Sequence, residues 1–276
     1  MASLDEFSRE QAILAALRAS GRVAVNDLAT RFKVSTVTVR KDLDSLERRS
    51  LLRRVRGGAV GVGASDEGTF EGRLTDSRDR KHAIAAAAAS LVLDGDVIAI
   101  DSSTTTYFLA QQILDRRNLV VVTNGLRLAT LLMERSSARV LVLGGVLRRS
   151  AASLVGPIGD VLSSRGRIAK GFFGLVGLST GYGLMDISAE EAHTKRFLAE
   201  ACDQVVGLFD SSKVSGFGLH PFASPDKVTA LYTDEDAPAD FVEEWRQIGV
   251  QVTLTPFRRA ADAAPLPAVD RPPPKS

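Results

Sequence analysis

The chain has 276 residues, 45% hydrophobic and 25% charged, with a formal net charge of +2, which is enough apolar material to bury a core and excludes a disordered polyelectrolyte. One cysteine (Cys202) excludes an intramolecular disulfide and a multi-cysteine zinc site, and three scattered histidines (His82, His193, His220) offer no ligand spacing, so no metal or cofactor is expected. The polar N-terminus and the short apolar runs (84–93, 140–147) predict neither an export signal nor a membrane span, which makes a cytoplasmic protein the expectation. The charge is unevenly placed: residues 1–60 carry 12 Lys/Arg against 7 Asp/Glu, a net of +5, and the rest carry 23 against 26, a net of −3. A small basic unit joined to a larger, mildly acidic one suits a nucleic-acid binder with a separate sensing or catalytic body.

In chain order, residues 8–19 place Ile13, Leu14 and Leu17 at helical spacing behind Ser8 as N-cap, with Gly21 as the stop. A second short helix is predicted over 25–32, with Leu28, Ala29 and Phe32 on one face. Lys33-Val34-Ser35 reads as a tight turn whose serine caps a third helix running to about Arg49. Residues 51–54 and 58–60 flank Gly57 as a β-hairpin. Three short helices and a hairpin predict a winged helix-turn-helix over 1–60. On the third helix Val39, Leu43 and Leu46 lie at i, i+4 and i+7 and form a buried face with Val34, leaving Thr36, Val37, Arg40, Lys41 and Asp44 outward. Thr36 and Val37 stand at the first turn, where base edges are read, and Arg40 and Lys41 stand ready for phosphates. The hydroxyls of Ser35 and Thr38 add phosphate donors at the helix N-terminus, and Arg53, Arg54 and Arg56 give the wing a second basic surface. A single run of charge is more often a solvated face than a contact; the combination with helix spacing, turn and wing predicts double-stranded DNA as partner.

Residues 61–72, glycine-rich and without periodicity, are expected to be a linker, 73–257 a second domain, and 258–276, rich in Pro and Ala, a disordered tail. Within the second domain short apolar strands (97–101, 119–123, 139–143, 170–176, 204–210, 228–233) alternate with helices (81–93, 106–114, 126–134, 188–202), which predicts a mostly parallel α/β sheet covered on both faces. Polar residues collect where strands end, the place where open parallel sheets bind ligands. They are Asp101, Ser102, Ser103, Thr104, Thr105 and Thr106 after one strand, Asn124 after the next, Gly144 and Gly145 after the third, then Glu191 and Lys195 on one helix and Asp210 and Lys213 after a later strand. Singly each has a plainer explanation: a Ser/Thr run caps a helix, Gly-Gly makes a turn, a lone lysine is solvated. Their recurrence at one sheet edge predicts a pocket for an anion carried on a polyol.

The stretch from Asp27 to Glu47 (DLATRFKVSTVTVRKDLDSLE), closed by Leu52-Arg53 and Gly57-Gly58-Ala59, closely resembles the DeoR family of bacterial regulators, and the resemblance extends to about Asp234. It implies that the second domain is a sensor, related in fold to ribose-5-phosphate isomerase and CoA transferases, that binds a phosphorylated sugar or related metabolite. Residues 102–106 would hold the phosphate, Asn124, Gly144 and Gly145 would line the pocket, and Glu191, Lys195, Asp210 and Lys213 would contact the polyol or order the site. Two departures stand out: Ser103 replaces a more usual glycine, which could narrow the loop, and the segment Gly174-Leu175-Val176-Gly177 is apolar where isomerases place acidic catalytic residues. The leading expectation is therefore a metabolite-responsive, homo-oligomeric regulator, usually a repressor, with no catalytic residue. The alternatives are a sugar-phosphate enzyme with a DNA-binding appendage, kept alive by Asp186, Glu190, Glu191 and Asp210, and an architectural DNA protein with a vestigial pocket.

Overall fold

The computed structural model describes residues 5–20, 22–49, 51–55, 57–61, 69–156, 168–214, 216 and 218–257. The expectations for Gly21, Arg56, the 62–68 part of the linker and the 258–276 tail lie outside the described residues, as does the side chain of Arg53.

The N-terminal unit runs α1 (Glu6–Ser20), β1 (Arg22–Ala24), α2 (Val25–Phe32), α3 (Thr36–Arg48), β2 (Leu52–Val55) and β3 (Gly58–Gly61). Helix α1 begins two residues before the expected start, because Asp5, not Ser8, is the cap: its carboxylate accepts the Ser8 N–H at 2.7 Å. Lys33 turns the chain with φ 56°, and the Ser35 hydroxyl accepts the Thr38 N–H at 3.0 Å, as expected of the turn and cap before α3. Val39, Leu43 and Leu46 are fully buried against Ile13, Leu17, Leu28 and Phe32. Strand β1, too short to show a period, was not foreseen; it completes an antiparallel sheet of order β1-β3-β2.

One buried contact was hidden by its charge. Asp42, on the inner side of α3, accepts Nε of Arg9 at 2.8 Å and a terminal guanidinium nitrogen at 3.0 Å, clamping α1 to α3. The pairing holds the Arg9 guanidinium above its ordinary pKa, the Asp42 hydrogen bond outweighing burial. Paired in two places, neither group needs water.

The second unit begins earlier than expected. Helix α4 (Phe70–Thr75) falls partly within the stretch read as linker; Thr69 caps it, and buried Phe70 packs edge-on to Tyr107 at 5.5 Å. There follow α5 (Arg78–Ala88), extended by a 3-10 turn, β4 (Val97–Ile100), α6 (Thr104–Gln112), β5 (Val120–Thr123), α7 (Leu126–Arg135), β6 (Arg139–Val142), a hairpin of β7 (Val146–Arg148) and β8 (Ser153–Val155), and β9 (Ile168–Phe173). The chain continues through β10 (Gly177–Ser179), β11 (Gly183–Asp186), α8 (Ala189–Glu200), β12 (Cys202–Leu208), β13 (His220–Ala223), β14 (Val228–Asp234), α9 (Ala239–Gln247) and β15 (Gln251–Thr255). Seven strands form one parallel sheet in the order β15-β14-β12-β9-β4-β5-β6. Alternate residues serve opposite faces: Ile98, Ile100 and Phe172 pack under α5, α6 and α7, while Ala99, Phe173 and Val205 pack under α8, α9 and the antiparallel sheet β10-β11-β13. Strand order reverses between β4 and β9, which places the ligand-binding crevice of such a sheet there.

The two units meet along a cleft of about 420 Å³ between Phe7, Leu14 and Leu46 on one side and Leu178, Tyr182 and Trp245 on the other. Among the described residues no helix is long and apolar enough to cross a membrane.

Replacing Asp42 with Ala strands the Arg9 guanidinium in the interior and is expected to cost about 3 kcal/mol of stability, the low end for breaking a buried pair. Urea unfolding of the full chain checks this; an unchanged midpoint would show that Arg9 finds water instead.

Candidate functional site

The carboxyl ends of β4, β9 and β12 converge on a cavity of about 260 Å³. Its floor is built around one ammonium group. Lys195 reaches from α8 to Asp186 at 2.7 Å, to Asp101 at 3.0 Å and to the Gly174 carbonyl at 2.9 Å, with the Phe222 ring 5.2 Å away. All three charged groups are buried. Burial opposes the ionisation of Lys195 and Asp186, but Asp101 and Asp186 outweigh it and push the Lys195 pKa up; Lys195 in turn outweighs burial and holds Asp186 low. Lys195 is therefore a fixed cation rather than a base.

Asp101 does more than neutralise it. One oxygen accepts from the Thr106 hydroxyl at 2.7 Å and the Ser103 N–H at 3.1 Å, and the other accepts from the Gly174 N–H at 2.9 Å. The loop entering α6 is thus tied to the end of β9. Ser103 caps α6, with its hydroxyl accepting the Thr106 N–H at 3.3 Å, so the helix starts two residues before its predicted position. Space for this serine comes from across the sheet: a Cβ at residue 174 would sit 2.4 Å from the Ser103 Cβ, so Gly174 is the residue that gives way.

Glu191 forms a second hub. It accepts from the Ser102 hydroxyl at 3.3 Å, the Asn124 amide at 3.2 Å, an Arg148 guanidinium nitrogen at 3.4 Å and, by a short bond, the Ser153 hydroxyl. Burial raises its pKa above the ordinary carboxylate range, although Lys195 and Ser153 pull it back. Arg148 and Ser153 come from the β7–β8 hairpin, which the sequence did not reveal.

Of the residues expected here, Ser102, Ser103, Thr104, Thr105, Glu191, Lys195, Asp210 and Lys213 line the cavity, while Asp101, Thr106 and Asn124 stand behind them. Gly144 and Gly145 are not brought in. They make the turn into β7, where Gly145 (φ 137°) lies so close to Val155 that a Cβ would come within 2.5 Å of its carbonyl oxygen. Sequence reasoning missed the wall formed by α4 and α5, which adds Arg73, Asp76, Ser77 and Lys81. Lys81 is only 6% exposed; its ammonium donates to the Arg73 carbonyl at 2.7 Å, and burial pushes its pKa down to about 8. A lysine in an Ala-rich helix carries no signal until that helix is seen to border a cavity. The cavity is therefore lined by three cations (Arg73, Lys81, Lys213), the carboxylates of Asp76 and Asp210, and the hydroxyl-bearing residues at the start of α6, over an ion-paired floor. Among the described residues, no cluster of three or more His, Cys, Asp or Glu could hold a metal ion.

On α3, Ser35, Val37, Arg40 and Lys41 are exposed and Thr36 and Thr38 half-buried. Val37 is 57% exposed, an apolar side chain set out on the first turn. Arg54 does not project freely: it pairs with Asp44 at 2.6 Å and donates to the Arg40 carbonyl at 3.3 Å, stitching the wing to α3.

Comparisons agree with this division. The DeoR-like helix-turn-helix domain matches residues 9–63 and the DeoR C-terminal sensor domain residues 76–235. A putative aga operon transcriptional repressor of Escherichia coli O157:H7 is 31% identical over 89% of this chain and 93% of its own. The glycerol-3-phosphate regulon repressor of Escherichia coli K12 is 28% identical over 91% of this chain and 100% of its own. Ribose 5 phosphate isomerase A from Neisseria gonorrhoeae is a partial likeness (15% identity, 49% of this chain and 53% of that one, TM-score 0.38) on which nothing further rests.

Replacing Lys195 with Met leaves Asp101 and Asp186 buried without a counter-charge and is expected to cost about 3–5 kcal/mol. Chemical denaturation checks this, and Lys195→Met combined with Asp186→Asn should recover part of the loss. A single variant as stable as the wild type would show that water reaches the floor.

Proposed function

The chain belongs to the DeoR family of DNA-binding transcriptional regulators, and from that premise we propose that it represses genes of carbohydrate metabolism under the control of a phosphorylated sugar or related metabolite. The observation that carries this reading is the facing of Arg73, Lys81 and Lys213 with the hydroxyl-rich start of α6 across one cavity. Phosphate dianions are bound by cations and helix N-terminal N–H groups together. The buried polar shell around Glu191 suits the hydroxyls of a polyol. The names of the two repressors above, one of a glycerol-3-phosphate regulon, support the same class of ligand.

Sensing is favoured over turnover. Lys195 is locked as a cation, Glu191 is engaged by four donors, and β9 ends in Gly174, Leu175 and Val176 without a carboxylate to move a proton. The route from pocket to DNA is a single segment: Asp210, Ser212 and Lys213 line the cavity, Val214 and Gly216 line the cleft against α1 and α3, and Leu219 packs on the winged-helix core. A ligand that draws in Lys213 acts on a strand of chain that ends against the DNA-binding unit. Paired half-sites call for paired subunits, so the regulator acts as a homo-oligomer on double-stranded DNA.

Arg40→Ala should weaken binding to all DNA and lower the slope of log K against log salt by about 1, the signature of one lost phosphate contact. Fluorescence anisotropy over a salt series reads both; an unchanged slope would remove Arg40 from the contact set. Changing Thr36 or Val37 should instead shift sequence preference.

A thermal-shift panel of sugar phosphates identifies the ligand. With it in hand, pH separates the role of Lys81. The empty pocket lets Lys81 lose its proton near pH 8, whereas a bound dianion favours the charged form, so affinity should fall as pH rises through about 8. Lys81→Met should bind more weakly and lose that alkaline fall. A variant with wild-type affinity and pH profile would leave the lysine no part in binding.

A further inference from the structure

Among the described residues, strand β6 is an edge of the parallel sheet. The N–H groups of Arg139 and Leu143 donate to Leu119 and Thr123 on the β5 side at 2.9 and 2.8 Å. The alternate residues Val140 and Val142 therefore turn their backbone N–H and C=O groups outward, and among the described residues β5 is the ladder partner that β6 has. An exposed apolar edge is usually blunted by proline, charge or a covering element. Here it reads Arg-Val-Leu-Val.

A groove of about 410 Å³ runs beside the edge, between β6 and α7, lined by Leu126, Ala129, Met133, Val140 and Val142 together with small neutral residues. Met133 is 72% exposed. Just beyond Gly144 and Gly145, Val146 and Leu147 add two more exposed apolar side chains. Four of the ten large apolar side chains exposed on the described surface thus belong to the segment 133–147.

We propose that this edge is the contact between two copies of the chain, with β6 pairing antiparallel to its twin across a two-fold axis and Met133 of each copy packing over the other's groove. The proposal rests on the paired-subunit reading above and assigns it a surface. A strand pairing with itself is self-complementary, as a two-fold contact requires. Pairing centred on Leu141 sets Val140 of each copy against Val142 of the other, the residues whose backbone groups face outward, and puts the two Arg139 side chains at opposite ends, each across from Leu143, so like charges do not meet. The neutral groove offers a charged or nucleic-acid partner nothing to pair with. The joint lies at the opposite edge of the sheet from β15, and the cleft with the winged helix, which α9 lines, stays clear of it. It also adjoins the pocket: in β7, Val146 and Leu147 belong to the exposed patch while the next residue, Arg148, holds Glu191.

The experiment is sedimentation of the full chain over a concentration series, for wild type, Met133→Glu and Val142→Pro. The proline removes an N–H that β6 does not give to β5, so it blocks the new ladder and spares the old one. Both variants should fall to half the wild-type mass with an unchanged far-UV spectrum, and both should lose cooperative binding to paired half-sites. A monomeric wild type would overturn the paired-subunit reading and this proposal together. A wild-type assembly that both variants keep would overturn the surface alone. Amide protection of residues 139–142 that does not vary with concentration would assign the edge to a segment of the same chain, and would also overturn it.

Discussion

The effector domain depends on one constraint: three charges taken out of water can be compensated only by each other. Lys195 comes from α8, Asp101 follows β4, Asp186 ends β11, and the Gly174 carbonyl that completes the set follows β9. Four separate pieces of chain are thereby brought to one point at the place where strand order reverses. Removing any partner leaves a buried charge, whose cost is several times that of a surface ion pair. The floor of the pocket is consequently tied together by contacts from four elements.

The sides are of a different kind. Lys213 is half-buried on a short turn, and Lys81 is held by one carbonyl and kept at a lowered pKa by burial. Asp210 and Asp76 act on Lys81 against that burial without restoring its ordinary pKa. One side continues as the 210–219 segment toward the winged helix, while the other is the α4–α5 corner that follows the chain's passage from the DNA-binding unit. A third boundary, the β7–β8 hairpin, carries Arg148 and Ser153 inward and an apolar face outward. The cavity thus lies between an ion-paired floor and three elements that lead elsewhere in the molecule.

The winged helix obeys the same logic at smaller scale. Its core is aliphatic, but Arg9 and Asp42 clamp α1 to α3 within it, and Arg54 and Asp44 fasten the wing to α3 from outside. Helix α3 is therefore held on two sides by ion pairs, with Arg40 and Lys41 left exposed. Arg54, expected from the sequence on the wing's basic surface, is also held by Asp44 within the protein.

Local rules made a good deal legible. Caps and turns depend on residues a few places apart, so Ser35, the α2–α3 turn and the buried face of α3 could be read directly, as could the alternation of strands and helices and the polar strand ends. Asp101 was found because it stands at such an end, and Glu191 and Lys195 because they share one helix within the stretch that resembles the family. What the sequence could not supply were features created by long-range contact. Lys81 sits in an unremarkable alanine-rich helix, Arg148 and Ser153 in strands of three residues, and Asp42 reads as a surface charge until Arg9, 33 residues earlier, is seen beside it. Gly144 and Gly145 fit a pocket on paper, yet the chain needed them to turn. The sequence by itself determined the architecture, a basic winged helix on an α/β domain, because periodicity and capping are encoded between near neighbours; the sensor role came from the resemblance its motifs carry. Tertiary structure alone decided which charges are neutralised inside and which remain free to bind, because that depends on which distant residues share a space without water.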